Sequence, residues 1–417
     1  MKRTRNMMAG AFAALCVLCA ACQPSEQQPS GEKGISARAG QPAPEVKPAA
    51  APFAWATYHG GADLAGVADI QLPGALSLLW RFKAGAPVRT TPVAAGDRIF
   101  FANAKGQVFA IDAQGQQVWS RSFLRPARND RPPREEVFDA PLVCVEDMVV
   151  AGSASGIVYA LDAATGGERW KADLDGTILG APSFAAVKPG NAGEEALRLF
   201  VIEQSAGVLH CLDARTGERV WKTEGVDRCD ASPGIGGGVA VFGSCAAALH
   251  VFSAETGELL REVPIDDDSQ VAGGVVVIGD AAFSGSRSGK VLQVNTQTGS
   301  VVWVNEDSQD EVFSTPAVDD AWVVVGSADG MVYGLERATG TRRWTFAADG
   351  AFSSPVIAGD KVVVCSEGAL HLLRLADGGA LWSFEVSDAI TSPAIAGGLV
   401  VVGSDDGTVA AFGPARF

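Results

Sequence analysis

The 417-residue chain is 47% hydrophobic but only 7% aromatic, and its 49 glycines and 21 prolines oppose helix interiors, so a turn-dense, all-β protein with a large core is expected. Its formal charge of −15 repels phosphate backbones and anionic headgroups, which excludes nucleic acid as an expected partner.

Lys2, Arg3 and Arg5 open the chain, an apolar stretch follows at 7–21, and Ala20-Ala21-Cys22 closes it. Residues 1–21 thus read as a secretory signal peptide, too short for a spanning helix. The junction resembles a bacterial lipoprotein cleavage box, with Cys19 where that box usually carries Leu. That resemblance implies a lipid on Cys22 and a membrane held through this anchor. Residues 22–54 are rich in Pro, Gly, Ala and Gln and poor in large apolar side chains, so they read as a disordered tether. Thirty such residues span on the order of 30 Å.

From residue 55 to 417 the chain reads as one repeating domain. Residues 311–349 show the unit: a short strand after Ser314-Thr315-Pro316, a strand Trp322–Gly326, a turn ending at Gly330, a third strand from Met331, a turn ending Thr339-Gly340, and a strand centred on Trp344. Four strands joined by Gly-bearing turns make one antiparallel sheet. The last-strand tryptophan recurs as Trp80, Trp119, Trp170, Trp221, Trp303, Trp344 and Trp382, with Leu260 taking the vacant place. Two insertions, 121–138 and 186–197, interrupt a period of about 40. The first-strand signature occurs at Thr91-Pro92, Ala140-Pro141, Ala181-Pro182, Ser232-Pro233, Ala272-Gly273, Thr315-Pro316, Ser354-Pro355 and Ser392-Pro393. The chain opens with a lone Trp80 strand and ends on three strands without one. Pairing the first with the last three closes a ring, which predicts an eight-bladed β-propeller of four-stranded blades.

Several residues invite chemistry. His210, His250 and His371 fall in the third-strand column that elsewhere holds Phe109, Tyr159 and Tyr333, so they are expected to pack rather than to bind metal. Asp329, Asp405 and Asp406 sit in turns, and Asp266-Asp267-Asp268 forms an acidic loop; a calcium site needs several oxygens converging on one centre. Cys229 and Cys245 flank Gly236-Gly237-Gly238 symmetrically, so a disulfide across that hairpin is expected. The insertion carrying Arg125, Arg128, Arg131 and Arg134 is the expected partner-contacting loop. No catalytic, cofactor or metal residue is assigned.

Ala160-Leu-Asp162-Ala-Ala-Thr165-Gly166-Gly-Glu-Arg-Trp170 resembles the A-x-D-x-x-T-G-x-x-x-W docking motif of pyrroloquinoline-quinone-type (PQQ-type) propeller repeats at every defined position. Asp213, Thr216, Gly217 and Trp221 repeat it, and 334–344 keeps the Thr, the Gly and Trp344. The resemblance implies that the Trp lies between blades while Asp and Thr tie the turn. The signal, tether and closing strand resemble the BamB family of outer-membrane assembly lipoproteins, and residues 55–67 and 79–92 look like the lead-in of bacterial quinoprotein-repeat proteins. That likeness implies a non-catalytic scaffold, lipid-anchored in the envelope and facing the periplasm, with envelope or outer-membrane proteins as partners and no cofactor. An alternative is a quinone-linked or small-molecule-binding propeller using PQQ and calcium. The PQQ dehydrogenases bring adjacent bridged cysteines, and this chain has no Cys-Cys pair. A third reading is an interaction or sensor module of another envelope system.

Overall fold

The structure is a computed structural model that describes residues 54–415 apart from 126–131, 189, 191–193, 266–269, 272 and 351. Cys22, Arg128, Arg131 and the 266–268 acids lie outside the described residues.

Every named element is a strand, and the main sheets are antiparallel blades of four. Blade 1 consists of Val93–Ala95, Arg98–Ala102, Gln107–Asp112 and Gln117–Ser122, running from the axis to the rim. Blades 2 to 7 follow in order at 143–173, 183–222, 234–264, 276–305, 317–347 and 356–385. Blade 8 joins both ends of the chain: Ala394–Ala396, Leu399–Gly403 and Thr408–Gly413 are completed by Ser77–Lys83, which pairs antiparallel with Thr408–Gly413. The inner strands of blades 8 and 1 then lie side by side.

Position in the wheel sets the sequence of each strand. Second strands are covered on both faces by neighbouring blades, so their central residues are apolar, and Met148–Gly152 (MVVAG) and Leu399–Gly403 (LVVVG) are buried at every residue. Outer strands meet water and alternate, with Trp170 buried in an otherwise more open Glu168–Asp173. The cores therefore fill the seams between sheets, as where Phe100, Val108 and Trp119 of blade 1 pack on Leu142, Val149 and Tyr159 of blade 2.

Tryptophan docking repeats around the ring. Trp170 Nε1 donates to Ala214 O of the next blade at 3.1 Å, and the same bond runs from Trp80 to Ala113 (2.9 Å), Trp119 to Ala163 (3.0 Å), Trp221 to Glu255 (2.8 Å), Trp303 to Arg337 (2.9 Å) and Trp344 to Leu375 (2.7 Å). Each indole covers a left-handed glycine of that blade. A Cβ on Gly166 (φ +69) would come within 2.7 Å of Trp119, and one on Gly257 (φ +73) within 2.6 Å of Trp221.

The place without a tryptophan is corrected by one residue. Strand register sets Cys211 opposite Trp221, Gly334 opposite Trp344 and Val251 opposite Arg261, so Arg261 rather than Leu260 occupies the column. The turn glycine lies four residues before the column position, and Gly257 therefore points to 261. Arg261 Nη2 donates to Gln297 O at 3.1 Å, a polar replacement for the indole bond.

Because the seams carry the core, Trp170→Ala is expected to cost about 3 kcal/mol, whereas the exposed Arg261→Ala costs below about 1 kcal/mol. Urea-unfolding midpoints of the two variants check this; equal costs would show that the column does not bear the seam.

Candidate functional site

The inner strand of a propeller blade has a free edge toward the axis, so one backbone N–H per blade points into the central funnel. Residues 54–68 use that ring. Ala94 N of blade 1 donates to Trp55 O (2.9 Å), Cys144 N of blade 2 to Ala56 O (2.7 Å), Ile235 N of blade 4 to Ala62 O (2.8 Å), Val277 N of blade 5 to Asp63 O (2.9 Å), Val318 N of blade 6 to Ala65 O (2.8 Å) and Ile357 N of blade 7 to Gly66 O (2.8 Å). Strand pairing gives all six donors the same position in their blades. The segment is a circlet that follows the blades around the funnel, then pairs Val67–Ala68 in parallel with Ile357 and Ala358.

Between blades 2 and 4 the circlet turns inward. Thr57 Oγ1 donates to Gly61 O at 2.7 Å, and Gly60 N donates to Thr57 O at 3.2 Å. This turn sends two rings across the axis. Tyr58 hydroxyl meets Ser354 Oγ and accepts from Thr315 Oγ1 at 3.3 Å, while His59 Nε2 lies 2.8 Å from Pro355 O and its Nδ1 2.7 Å from Leu64 O. The Ser/Thr-Pro signatures of blades 6 and 7 thus supply the far wall. Thr57, His59, Leu64 and Trp55 are buried, and a Cβ on Gly66 (φ +66) would collide with the His59 ring. The gap beside blade 8 is a cavity of about 320 Å³ lined by Trp55, Asp63, Asp69 and Ile395 among others.

The residues singled out in the sequence are spread around this hub. Asp162 accepts from Thr165 N and Thr165 Oγ1, both at 2.8 Å, and Thr165 Oγ1 accepts from Gly167 N at 3.2 Å. Asp213 and Thr216 repeat the arrangement, with Thr216 N 3.2 Å from Asp213 Oδ1, and Gly217 lies under Trp170. These contacts hold turns and seams. His210, His250 and His371 stand in blades 3, 4 and 7, each on its third strand.

Cys229 and Cys245 are free thiols in the structure. The hairpin turns on Gly237-Gly238 alone and pairs Gly236 with Val239, one residue away from the symmetric register expected across Gly237. Cys229 is buried and its Sγ donates to Gly243 O at 3.0 Å, and Cys245 is half-buried. Of the insertion, Leu124–Arg125 pairs with Arg134–Glu135, and Arg125 Nε lies 2.9 Å from Glu136 Oε1, a carboxylate with no solvent exposure. Arg125 therefore ties the base of the insertion to the wheel, while Arg134 is exposed.

A quinone with calcium needs carboxylate oxygens converging in the funnel. The carboxylates at this mouth are Asp63 and Asp69, and Asp63 Oδ1 already accepts Ala65 N at 3.2 Å. Among the described residues no three His, Cys, Asp or Glu are placed to share a metal ion. The circlet takes the funnel mouth itself, so these residues do not fit that group.

At the rim, Leu259 and Leu260 of blade 4 and Val301, Val302 and Val304 of blade 5 are exposed on adjacent outer strands. A cavity of about 470 Å³ lined by Ile265, Leu292, Val301 and Val304 lies at this seam, where the column tryptophan is missing.

The circlet is the feature that the repeat pattern did not disclose. Eight of the fifteen residues at 54–68 are Ala or Gly, a run without period. The available signal was Trp55, Tyr58, His59 and Leu64 set within it, immediately after a stretch with almost no large side chains.

A family model described as outer membrane protein assembly factor BamB matches residues 76–176, 114–345 and 249–412. The outer membrane protein assembly factor BamB of Xanthomonas campestris is 29% identical over 289 residues, covering 66% of this chain and 69% of that protein. In fold, the chain is similar to the crystal structure of BamB from Moraxella catarrhalis, with a TM-score of 0.65 at 21% identity over 82% of this chain and 98% of the other. It is similar too to quinohemoprotein alcohol dehydrogenase from Comamonas testosteroni, with a TM-score of 0.69 at 14% identity over 88% of this chain and 82% of that one.

Burial lowers the pKa of all four histidines, that of His210 to about 4, where Arg219 and Lys222 add to the effect against Glu203 and Asp175. The unfolded chain therefore binds protons below its histidine pKa of about 6.5 that the folded chain refuses, and stability falls as pH drops through that value toward 4. His210→Phe, which restores the ring type of its column, is expected to reduce the slope of unfolding free energy against pH in this window by roughly one proton. Urea melts between these limits check it, and an unchanged slope would refute the assignment.

Proposed function

The chain belongs to the family of the outer membrane protein assembly factor BamB, and on that premise we propose that it is a non-catalytic scaffold for proteins that assemble the outer membrane. The observation that carries this reading is the extent of the match: residues 76–412 take in the closing strand and all eight blades, so the likeness rests on the whole wheel. Fold alone leaves the activity open, because wheels of this kind also carry dehydrogenases. The polar groups at the funnel mouth favour the scaffold, since the inner-strand amides are spent on the backbone of 55–66, Ser354 Oγ on Tyr58 and the Pro355 carbonyl on His59.

In this reading residues 1–21 are removed on export, Cys22 carries the lipid, and the stretch to residue 54 links the membrane to a wheel in the periplasm. Partners are envelope proteins, no cofactor is used, and no nucleic acid is bound. The apolar outer strands of blades 4 and 5 and the arginine-bearing insertion between blades 1 and 2 are the surfaces offered to them.

The test is a mild-detergent pull-down from native membranes with a C-terminally tagged chain, read by mass spectrometry and an absorbance scan. Outer-membrane assembly proteins are expected without a chromophore. Cys22→Ala is expected to move the protein to the soluble periplasmic fraction. A stoichiometric quinone with no protein partner would refute the scaffold.

A further inference from the structure

We propose that the funnel mouth is a peptide-binding site whose resident ligand is residues 54–68 of the same chain, held noncovalently and detachable without unfolding the wheel. Three observations and one physical argument carry this. Each blade is a complete four-stranded sheet without the segment, and Val67–Ala68 is a fifth strand added to blade 7. The family match starts at residue 76, so the circlet lies beyond the part of the chain that defines the wheel. Its attachment is that of a bound peptide: six inner-strand amides donate to its carbonyls, and Trp55, Tyr58, His59 and Leu64 fill the space between. Once it leaves, those six amides face an open funnel and bond to water, so departure strands no donor in a dry interior.

The ligand class follows from the wall. Carbonyl oxygens must recur around the ring, small side chains must pass the inner strands, and a Gly-Gly turn must carry an aromatic-His pair across the axis. Residues 54–68 meet these needs with Ala or Gly at eight positions and with Tyr58-His59-Gly60-Gly61 at the turn. The linker to the closing strand passes through Gly74 and Ala75, which are exposed, and a Cβ on Gly74 would meet nothing within 4 Å. The proposal does not depend on the scaffold reading, because it concerns the chain's own segment.

The test starts from the full-length protein with a protease site in place of Pro73-Gly74-Ala75 and a C-terminal tag. The folded protein is cut, immobilised by the tag and washed free of the N-terminal fragment. A fluorescent synthetic peptide of residues 54–70 is then added. The washed wheel is expected to keep its near-ultraviolet circular dichroism and to bind the peptide saturably. Uncut protein should bind none, a scrambled peptide should not compete, and the Gly66→Val peptide should bind at least about tenfold more weakly. A wheel that unfolds when the fragment leaves, a fragment that cannot be removed from a folded wheel, or a washed wheel that ignores the peptide or takes the scrambled one equally would overturn the proposal.

Discussion

The wheel depends on an indole laid over a left-handed glycine of the next blade. A blade alone is four short strands with two apolar faces, too little to stand by itself, and stability comes from stacking neighbours. The tryptophan fixes that stacking twice, by covering the turn and by donating Nε1–H to a carbonyl within it. Glycine is required there for two reasons at once. Gly166, Gly217, Gly257, Gly340 and Gly378 all have positive φ, and any Cβ would enter the ring above. Asp162 and Thr165 serve the same contact indirectly, since they hold the turn in the shape that presents Gly166.

That constraint explains where the ring changes character. At blade 4 Arg261 replaces the indole, and the neighbouring outer strands carry exposed Leu259, Leu260, Val301, Val302 and Val304, of which Val301 and Val304 line a cavity. A ring closed by such contacts also leaves eight inner edges around one axis. In this chain six of them are answered by residues 55–66, and the histidine and tyrosine of that segment occupy the centre. The same geometry that makes the wheel thus creates a site at its hub. The donors of that site are backbone amides, so no catalytic residue types mark it.

The fold was legible because its determinants are local and repeated. Tryptophan spacing, Gly-bearing turns and the Ser/Thr-Pro starts each report one blade, and the mismatch between an orphan first strand and three last strands reports the closure that pairs Ser77–Lys83 with Thr408–Gly413. Errors arose where one residue decides. At the column position without a tryptophan the glycine spacing favours Arg261 over its apolar neighbour Leu260, and the strand register agrees. The symmetric placing of Cys229 and Cys245 assumed a three-residue turn, and the hairpin turns on two. The circlet was illegible for a different reason: it has no period and no hydrophobic face, because its partners are backbone groups on six blades that the sequence places as far as 296 residues away, as His59 and the carbonyl of Pro355 show.

Amide hydrogen exchange on the full chain tests most directly that the wheel is closed and its hub filled. The amides of Ala94, Cys144, Ile235, Val277, Val318 and Ile357 should exchange far more slowly than those of Phe184 and Ile395, which hold the same position in blades 3 and 8 without a partner from the circlet among the described residues. Uniformly fast exchange at all eight positions would contradict the account, leaving the wheel with an open funnel and residues 54–68 outside it.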